Sequence, residues 1–373
     1  MDSGEPPALP PEPPTSGPGD IALPPLLGEM PAEAAPPEAP MGERFVFHGN
    51  TREYFRIWIV NMALTLLTLG VYSAWAKVRR RRYFRGNIEL MGHRFDYTAR
   101  APRLFIGNLV VLVFFLAYAL FGAVYPWVRY GTIAVGVLML PWIVVRSLSF
   151  NAHNTVYRGL RFRFHPSLSA ATMAYLFKFL LVIVTFGLYY PAWSRDTRTF
   201  NINRHRYGTA YFNVEMTSGE FYSAYLAAGL ALLIVFVIIA CAIAIFKDTV
   251  SISTLTVALT FGLYLPVLYI GRQYIHARIF NAAWNATCLD NCRFEASMES
   301  NKWIALQLKN WAAIILSLGF LYPWATMRSA QYTASCLRFH PSPDFLATQS
   351  LGSPTASAVS DSAAEFIGLD FGL

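Results

Sequence analysis

Residues 104–124, 221–246 and 249–271 carry no charged side chain, and each run is long enough to cross a bilayer. At 1.5 Å per helical residue, about 20 residues match about 30 Å of hydrocarbon. Hydrocarbon offers the backbone no hydrogen-bond partner, so such segments must be helical. Charged residues make up only 14% of the chain and hydrophobic ones 55%, against about 25% charged in soluble domains. The formal charge of +8 then points to loops lying near anionic lipid, and not to nucleic acid, for which no motif is present.

A repeated motif organises the rest. Thr68-Leu69-Gly70-Val71-Tyr72-Ser73-Ala74-Trp75 runs into Lys77-Val78-Arg79-Arg80-Arg81-Arg82, and variants recur at residues 185–193, 260–266 and 317–324, with a weaker echo at Leu140-Pro141-Trp142. Gly70, Gly187, Gly262 and Gly319 are expected to allow close packing or a bend. Tyr72, Trp75, Tyr189, Trp193, Tyr322 and Trp324 have the amphipathic rings of a membrane interface. Downstream, Asn, Gly and an aromatic stand five and eight residues apart. This register is seen at Asn87, Gly92 and Phe95, at Asn154, Gly159 and Phe162, and at Asn203, Gly208 and Tyr211. Imperfect copies lie at Gln331, Cys336 and Phe339, and around Asn285, Asp290 and Phe294. Each copy reads as a helix end, a basic turn and a small β-hairpin.

The expected fold class is an all-α integral membrane protein of about seven apolar helices, with small basic β-hairpin modules at the helix exits. The helices, at residues 54–76, 104–124, 130–145, 174–193, 221–246, 249–271 and 303–324, fall in the order single, pair, single, pair, single. The internal repeats divide at 43–100, 101–165, 166–215, 216–296 and 297–340. Residues 1–42, rich in Pro and Ala, and 341–373, rich in Ser and Ala, read as loose tails. Residues 1–42 hold no basic and apolar leader of the secretory kind.

Two topologies compete. If all seven helices span, Lys and Arg divide 17 to 13 between the two faces, and the first six helices form an inverted repeat of the kind used by transporters. If the three single helices re-enter, the division is 28 to 2, which fits the positive-inside bias far better.

The stretch from Thr68 to Arg79, followed by Arg81-Arg82-Tyr83-Phe84 and preceded by Phe45-Val46-Phe47-His48-Gly49, resembles the YjgN-type bacterial inner-membrane proteins, a family known as a domain of unknown function. The resemblance covers residues 44–339. It implies a multi-pass protein of the bacterial inner membrane and brings no catalytic residues with it.

Arg79, Arg146 and Arg195 each stand eight residues before a module Asn, where they can anchor to lipid phosphate or converge on an anionic ligand. Asn61, Lys178, Gln307, Lys309 and Asn310, within the single helices, are the candidates for an intramembrane polar path. Cys288 and Cys292 lack a second pair for zinc, and His48, His165 and His340 read as turn residues. With no catalytic motif, no cofactor or metal site and no acidic residue in the secure helices, the expectation is a non-enzymatic scaffold. It would bind anionic lipid, with room for a protein partner. A small-solute transporter or channel is the alternative, and a lipid-modifying enzyme the third reading.

Overall fold

The computed structural model describes residues 42–122, 124–246, 251–343 and 345, all within the unit Gly42–Leu373. The expected tails fall almost wholly outside the described residues. The chain begins with two short strands, β1 (Glu43–Arg44) and β2 (Val46–Phe47). Five units follow, each with a helix leaving the sheet, a helix returning to it, and strands. The first holds α1 (Thr51–Leu67), α2 (Ser73–Gly86), β3 (Ile88–Leu90) and β4 (His93–Tyr97). The second holds α3 (Ala101–Phe121), α4 (Pro126–His153), β5 (Thr155–Tyr157) and β6 (Leu160–Phe164). The third holds α5 (Leu168–Val184), α6 (Tyr190–Asn203), β7 (His205–Tyr207) and β8 (Ala210–Val214). The fourth holds α7 (Ser218–Phe246), α8 (Ile252–Asn285), β9 (Thr287–Leu289) and β10 (Cys292–Ala296). The fifth holds α9 (Ser300–Leu316), α10 (Tyr322–Ser335) and a single strand, β11 (Leu337–His340).

All eleven strands among the described residues belong to one antiparallel sheet in the order β1-β11-β10-β9-β8-β7-β6-β5-β4-β3-β2. The two edges, β1 and β2, are separated only by Phe45. One short segment therefore pairs with β11 through Arg44 opposite Arg338, and with β3 through Phe47 opposite Ile88. The sheet closes on itself, and the segment serves as the missing outgoing strand of the fifth unit. Closure removes the exposed edges that such short strands would otherwise present. The all-α fold class is thereby corrected: the fold is mixed, and the hairpins are one continuous sheet instead of separate modules. Strands of three to five residues hold no structure alone, so their pairing was invisible to a reading that took each hairpin by itself.

One face of the sheet is buried. Phe45, Phe95, Phe162, Phe212 and Phe294 occupy the same place on the five outgoing strands, with Leu90, Tyr157, Tyr207, Leu289 and Phe339 on the incoming ones, all buried in a single cluster. Phe95 stacks on Tyr157 at 4.5 Å, and Phe162 lies 4.7 Å from Tyr207. The Tyr157 hydroxyl donates to Leu90 O (2.8 Å) and that of Tyr207 to Tyr157 O (3.2 Å). Burial pushes the Tyr157 phenol up to about 12 and raises Tyr207 as well, so both remain neutral donors. The repeated aromatic of the third unit is thus Phe212, not Tyr211, which is exposed on the opposite face. The reason is a one-residue slip. Met91 and Gly92, and Arg158 and Gly159, both take positive φ in two-residue hairpin loops, whereas Gly208 occupies the first loop position. Asn203 accordingly braces the outgoing strand through Val214 N (2.7 Å), as Asn285 does through Ala296 N (2.6 Å). Asn87 instead caps its own helix by donating to Tyr83 O (2.8 Å).

The three single helices also need correction. Each breaks at its glycine and returns, as α1 and α2, α5 and α6, and α9 and α10. At the first break, Gly70 N donates to Thr65 O (2.7 Å), while the Thr68 hydroxyl donates to Leu64 O (2.7 Å) and accepts from Tyr72 N (2.9 Å). One hydroxyl so closes the end of one helix and caps the start of the next. Thr185 and Ser317 repeat this arrangement, and Gly70, Gly187 and Gly319 sit at φ +92°, +88° and +93°. The fourth copy of the motif behaves differently. Around Gly262 the helix α8 continues through a π-turn over Thr260–Tyr264, with no left-handed residue. Four helices among the described residues, α3, α4, α7 and α8, are long and apolar enough to cross a membrane, in place of about seven.

This contrast predicts opposite outcomes for one substitution. Nothing lies within 4 Å of a Cβ at Gly70, Gly187 or Gly262, so backbone conformation alone decides. Gly70→Ala or Gly187→Ala is expected to cost about 1–2 kcal/mol, whereas Gly262→Ala is expected to be neutral or to stabilise by about 0.5–1 kcal/mol. Thermal unfolding of the three purified variants checks this, and equal shifts would count against it.

Candidate functional site

Strand register fixes which helix residues are equivalent. The returning helices end at the caps Asn87, Asn154, Arg204, Ala286 and Cys336. Eight residues before each cap stand Arg79, Arg146, Asp196, Arg278 and Arg328. Of the three arginines singled out from sequence, Arg79 and Arg146 share this level, and Arg195 is one residue out of step. Arg278 and Arg328, not picked out from sequence, belong with them. Arg79, Arg146 and Arg278 are exposed, with no ion pair or hydrogen bond among the described residues. Arg328 lies over the Trp324 ring at 4.5 Å. At this level the apolar stretch of α4 ends at Arg146, while in α2 and α8 the basic residues begin earlier, at Lys77 and Arg272, so the guanidinium groups stand near the sheet-side edge of the apolar zone.

The third unit breaks the pattern with a buried ion cluster. Asp196 is buried. Its Oδ2 accepts from Lys178 Nζ (2.6 Å) and from the Tyr189 hydroxyl (3.3 Å), and its Oδ1 accepts from Arg195 Nε (2.8 Å). Arg195 also reaches the Ser218 hydroxyl on α7. Every oxygen of the carboxylate is thus engaged, which makes it a structural anion and not a free base. Lys178 belongs to a second set of equivalent positions, since Asn61, Lys178 and Asn310 each stand nine residues before a turn glycine. Asn310 is buried and its amide donates to Ala325 O and Ser329 Oγ, both at 3.1 Å, and Gln307 also donates to Ser329 Oγ (3.0 Å). The Oδ1 atoms of Asn61 and Asn310 are buried with no hydrogen-bond partner among the described residues. Lys309 is exposed and takes no part. Lys178 and Asn310 bond across their helical pairs, Gln307 assists Asn310, and Asn61 is buried within its pair.

Among the described residues no group of three His, Cys, Asp or Glu side chains could hold a metal ion. His48 pairs with Glu89 and His340 with Glu295, each at 2.9 Å, on the exposed face of the sheet. That face also carries Arg44, Arg94, Arg161, Arg163, Arg206, Arg293 and Arg338. The four cysteines are free.

A family model described as a bacterial protein of unknown function (DUF898) matches residues 42–366. The inner membrane protein YjgN of Escherichia coli K12 is 31% identical over 144 residues, covering 38% of this chain and 36% of that protein; the O157:H7 protein matches over the same shares. The match thus spans about a third of the length of those relatives. The Salmonella typhimurium protein of the same name is 24% identical over 334 residues, covering 75% of this chain and 84% of its own. No solved structure matches.

Proposed function

Since the chain belongs to the DUF898 family of bacterial proteins of unknown function, and is a multi-pass inner-membrane protein by its likeness to YjgN, we propose that it is a non-enzymatic membrane scaffold that holds anionic phospholipid through phosphate contacts. The observation that carries this is the set Arg79, Arg146 and Arg278, exposed, unpaired among the described residues and level with one another where the apolar zone ends. An unpaired guanidinium at that depth is matched by a phosphate diester, which accepts two parallel hydrogen bonds from it. The sheet side is the cytoplasmic one, because a sheet that gathers all the described strands at one end of the helices leaves, among the described residues, Arg129 alone of the basic side chains at the far end of the spanning pairs.

Each basic residue near an anionic surface contributes about 1 kcal/mol. Replacing Arg79, Arg146 and Arg278 together by Gln is therefore expected to weaken retention of phosphatidylglycerol by on the order of a hundredfold. Native mass spectrometry of protein released from mixed-lipid nanodiscs reads this directly. Retention of phosphatidylethanolamine should change little. Unchanged retention of phosphatidylglycerol by the triple variant would remove the proposal.

A further inference from the structure

The level set by Arg79, Arg146, Asp196, Arg278 and Arg328 measures how far each helical pair reaches beyond it. In the second unit α4 begins at Pro126, 20 residues beyond Arg146, which is about 30 Å of helix, a full hydrocarbon core. In the first, third and fifth units the turn glycine lies nine residues beyond the same level. That is about 14 Å, half of the core.

The two kinds of tip differ in chemistry to match. At the far end of the long pair, Tyr125, Trp127, Arg129 and Tyr130 form an aromatic and basic rim, as expected where a helix emerges into water. The short tips carry no charge, and the aromatic rings of their motif, Tyr72, Trp75, Tyr189, Trp193, Tyr322 and Trp324, are half-buried at the start of the returning helices instead of standing out as a rim. They present Leu69, Phe186 and Leu318, respectively 96%, 98% and 91% exposed, each held outward by a left-handed turn. A large apolar side chain forced into a strained conformation and left bare is unfavourable in water and unremarkable among acyl chains.

We infer that the three short helical pairs end at the bilayer midplane, with Leu69, Phe186 and Leu318 packed against lipid acyl chains. The membrane domain is then a wedge. Among the described residues ten helices occupy the leaflet next to the sheet and four continue into the other. The occupant of the bare tips is lipid and not a second copy, because the two spanning pairs stand between the third tip and the first and fifth, which lie side by side, so the three cannot share one flat interface. This depth does not depend on the arginines holding phosphate, so the two proposals fail separately.

The test is spin-label accessibility in the full chain reconstituted in phosphatidylglycerol and phosphatidylethanolamine vesicles. Single labels are placed by Leu69→Cys, Phe186→Cys and Leu318→Cys, after Cys241→Ala and Cys288→Ala. Ile234→Cys on α7 marks mid-span and Trp127→Cys the far interface. The three tips are expected to match Ile234→Cys, readily relaxed by oxygen and at least tenfold less by a water-soluble nickel complex than Trp127→Cys. Nickel access equal to that of Trp127→Cys would overturn the inference, as would dipolar coupling between tips of different copies. Should the cysteine changes disturb folding, labelling in intact cells with a membrane-impermeant maleimide decides. The tips should stay unreactive while Trp127→Cys reacts, and labelled tips would show that the short pairs cross.

Discussion

Deletion of residues 43–49 is expected to abolish a monodisperse, folded protein, although it removes only seven residues and no helix. Those residues supply the one strand segment that bonds both edges of the sheet, to β11 on one side and β3 on the other. Without them two edges lie open, each ready to pair with another copy. Phe45, 3% exposed, also leaves the aromatic core. Loss of that ring alone costs about 3–5 kcal/mol, and each lost ladder hydrogen bond about 1 kcal/mol. Together these reach a large part of the stability of a typical domain, about 5–15 kcal/mol. Size-exclusion chromatography and thermal unfolding in detergent check the result. Phe45→Ala should lower stability as much as Phe162→Ala, its counterpart elsewhere in the ring, and Phe45→Leu much less. A deletion variant that elutes and melts like the parent would show that the sheet holds without being closed.

Asp196→Asn is expected to produce the second large loss. Removing the charge leaves Lys178 and Arg195 facing each other with no counter-ion, both partly buried. Breaking a buried pair by removing one partner costs about 3–5 kcal/mol; with Lys178 and Arg195 each about a third exposed, solvent screening reduces this to about 2–3 kcal/mol. The repeat itself suggests the rescue. The first unit has Asn61 and Arg79 where the third has Lys178 and Asp196, so Lys178→Asn with Asp196→Arg rebuilds a combination the fold already accepts. The double variant should recover part of the stability lost in Asp196→Arg alone, because one of the two cations facing the new guanidinium is gone while Arg195 remains, as read by thermal unfolding. A double variant as unstable as the single would mean that the pair is not exchanged as a unit. In that case the equivalence of Asn61 with Lys178 would have no energetic content.

Parts of the site were legible from residue types alone. Lys178 is a lone charge in an otherwise apolar helix, which by itself marks it as a side chain in need of a buried partner. Its partner Asp196 escaped notice because it follows Arg195 at the start of a charged segment, where nothing local shows that it folds back beside a residue 18 positions earlier. In the third unit Asp196, and not Arg195, is level with Arg79 because Gly208 takes the first place in its hairpin loop, a shift that only the pairing of Tyr207 with Ala210 reveals.

The sequence by itself determined the solvent and the local punctuation of this protein. Charge-free runs of some 20 residues demand a bilayer, and a hydroxyl two residues before a glycine supplies caps for two successive helices. Tertiary structure alone decided whether that punctuation is used. The same motif turns the chain at Gly70 and passes through a helix at Gly262, because in the fourth unit α8 packs along α7 and continues past that point. It alone joined the hairpins into one closed sheet and completed the fifth unit with the first strand of the chain. The physical reason is shared. Strands of three to five residues gain their stability from partners far away in sequence, and a glycine that tolerates two conformations takes the one its surroundings stabilise.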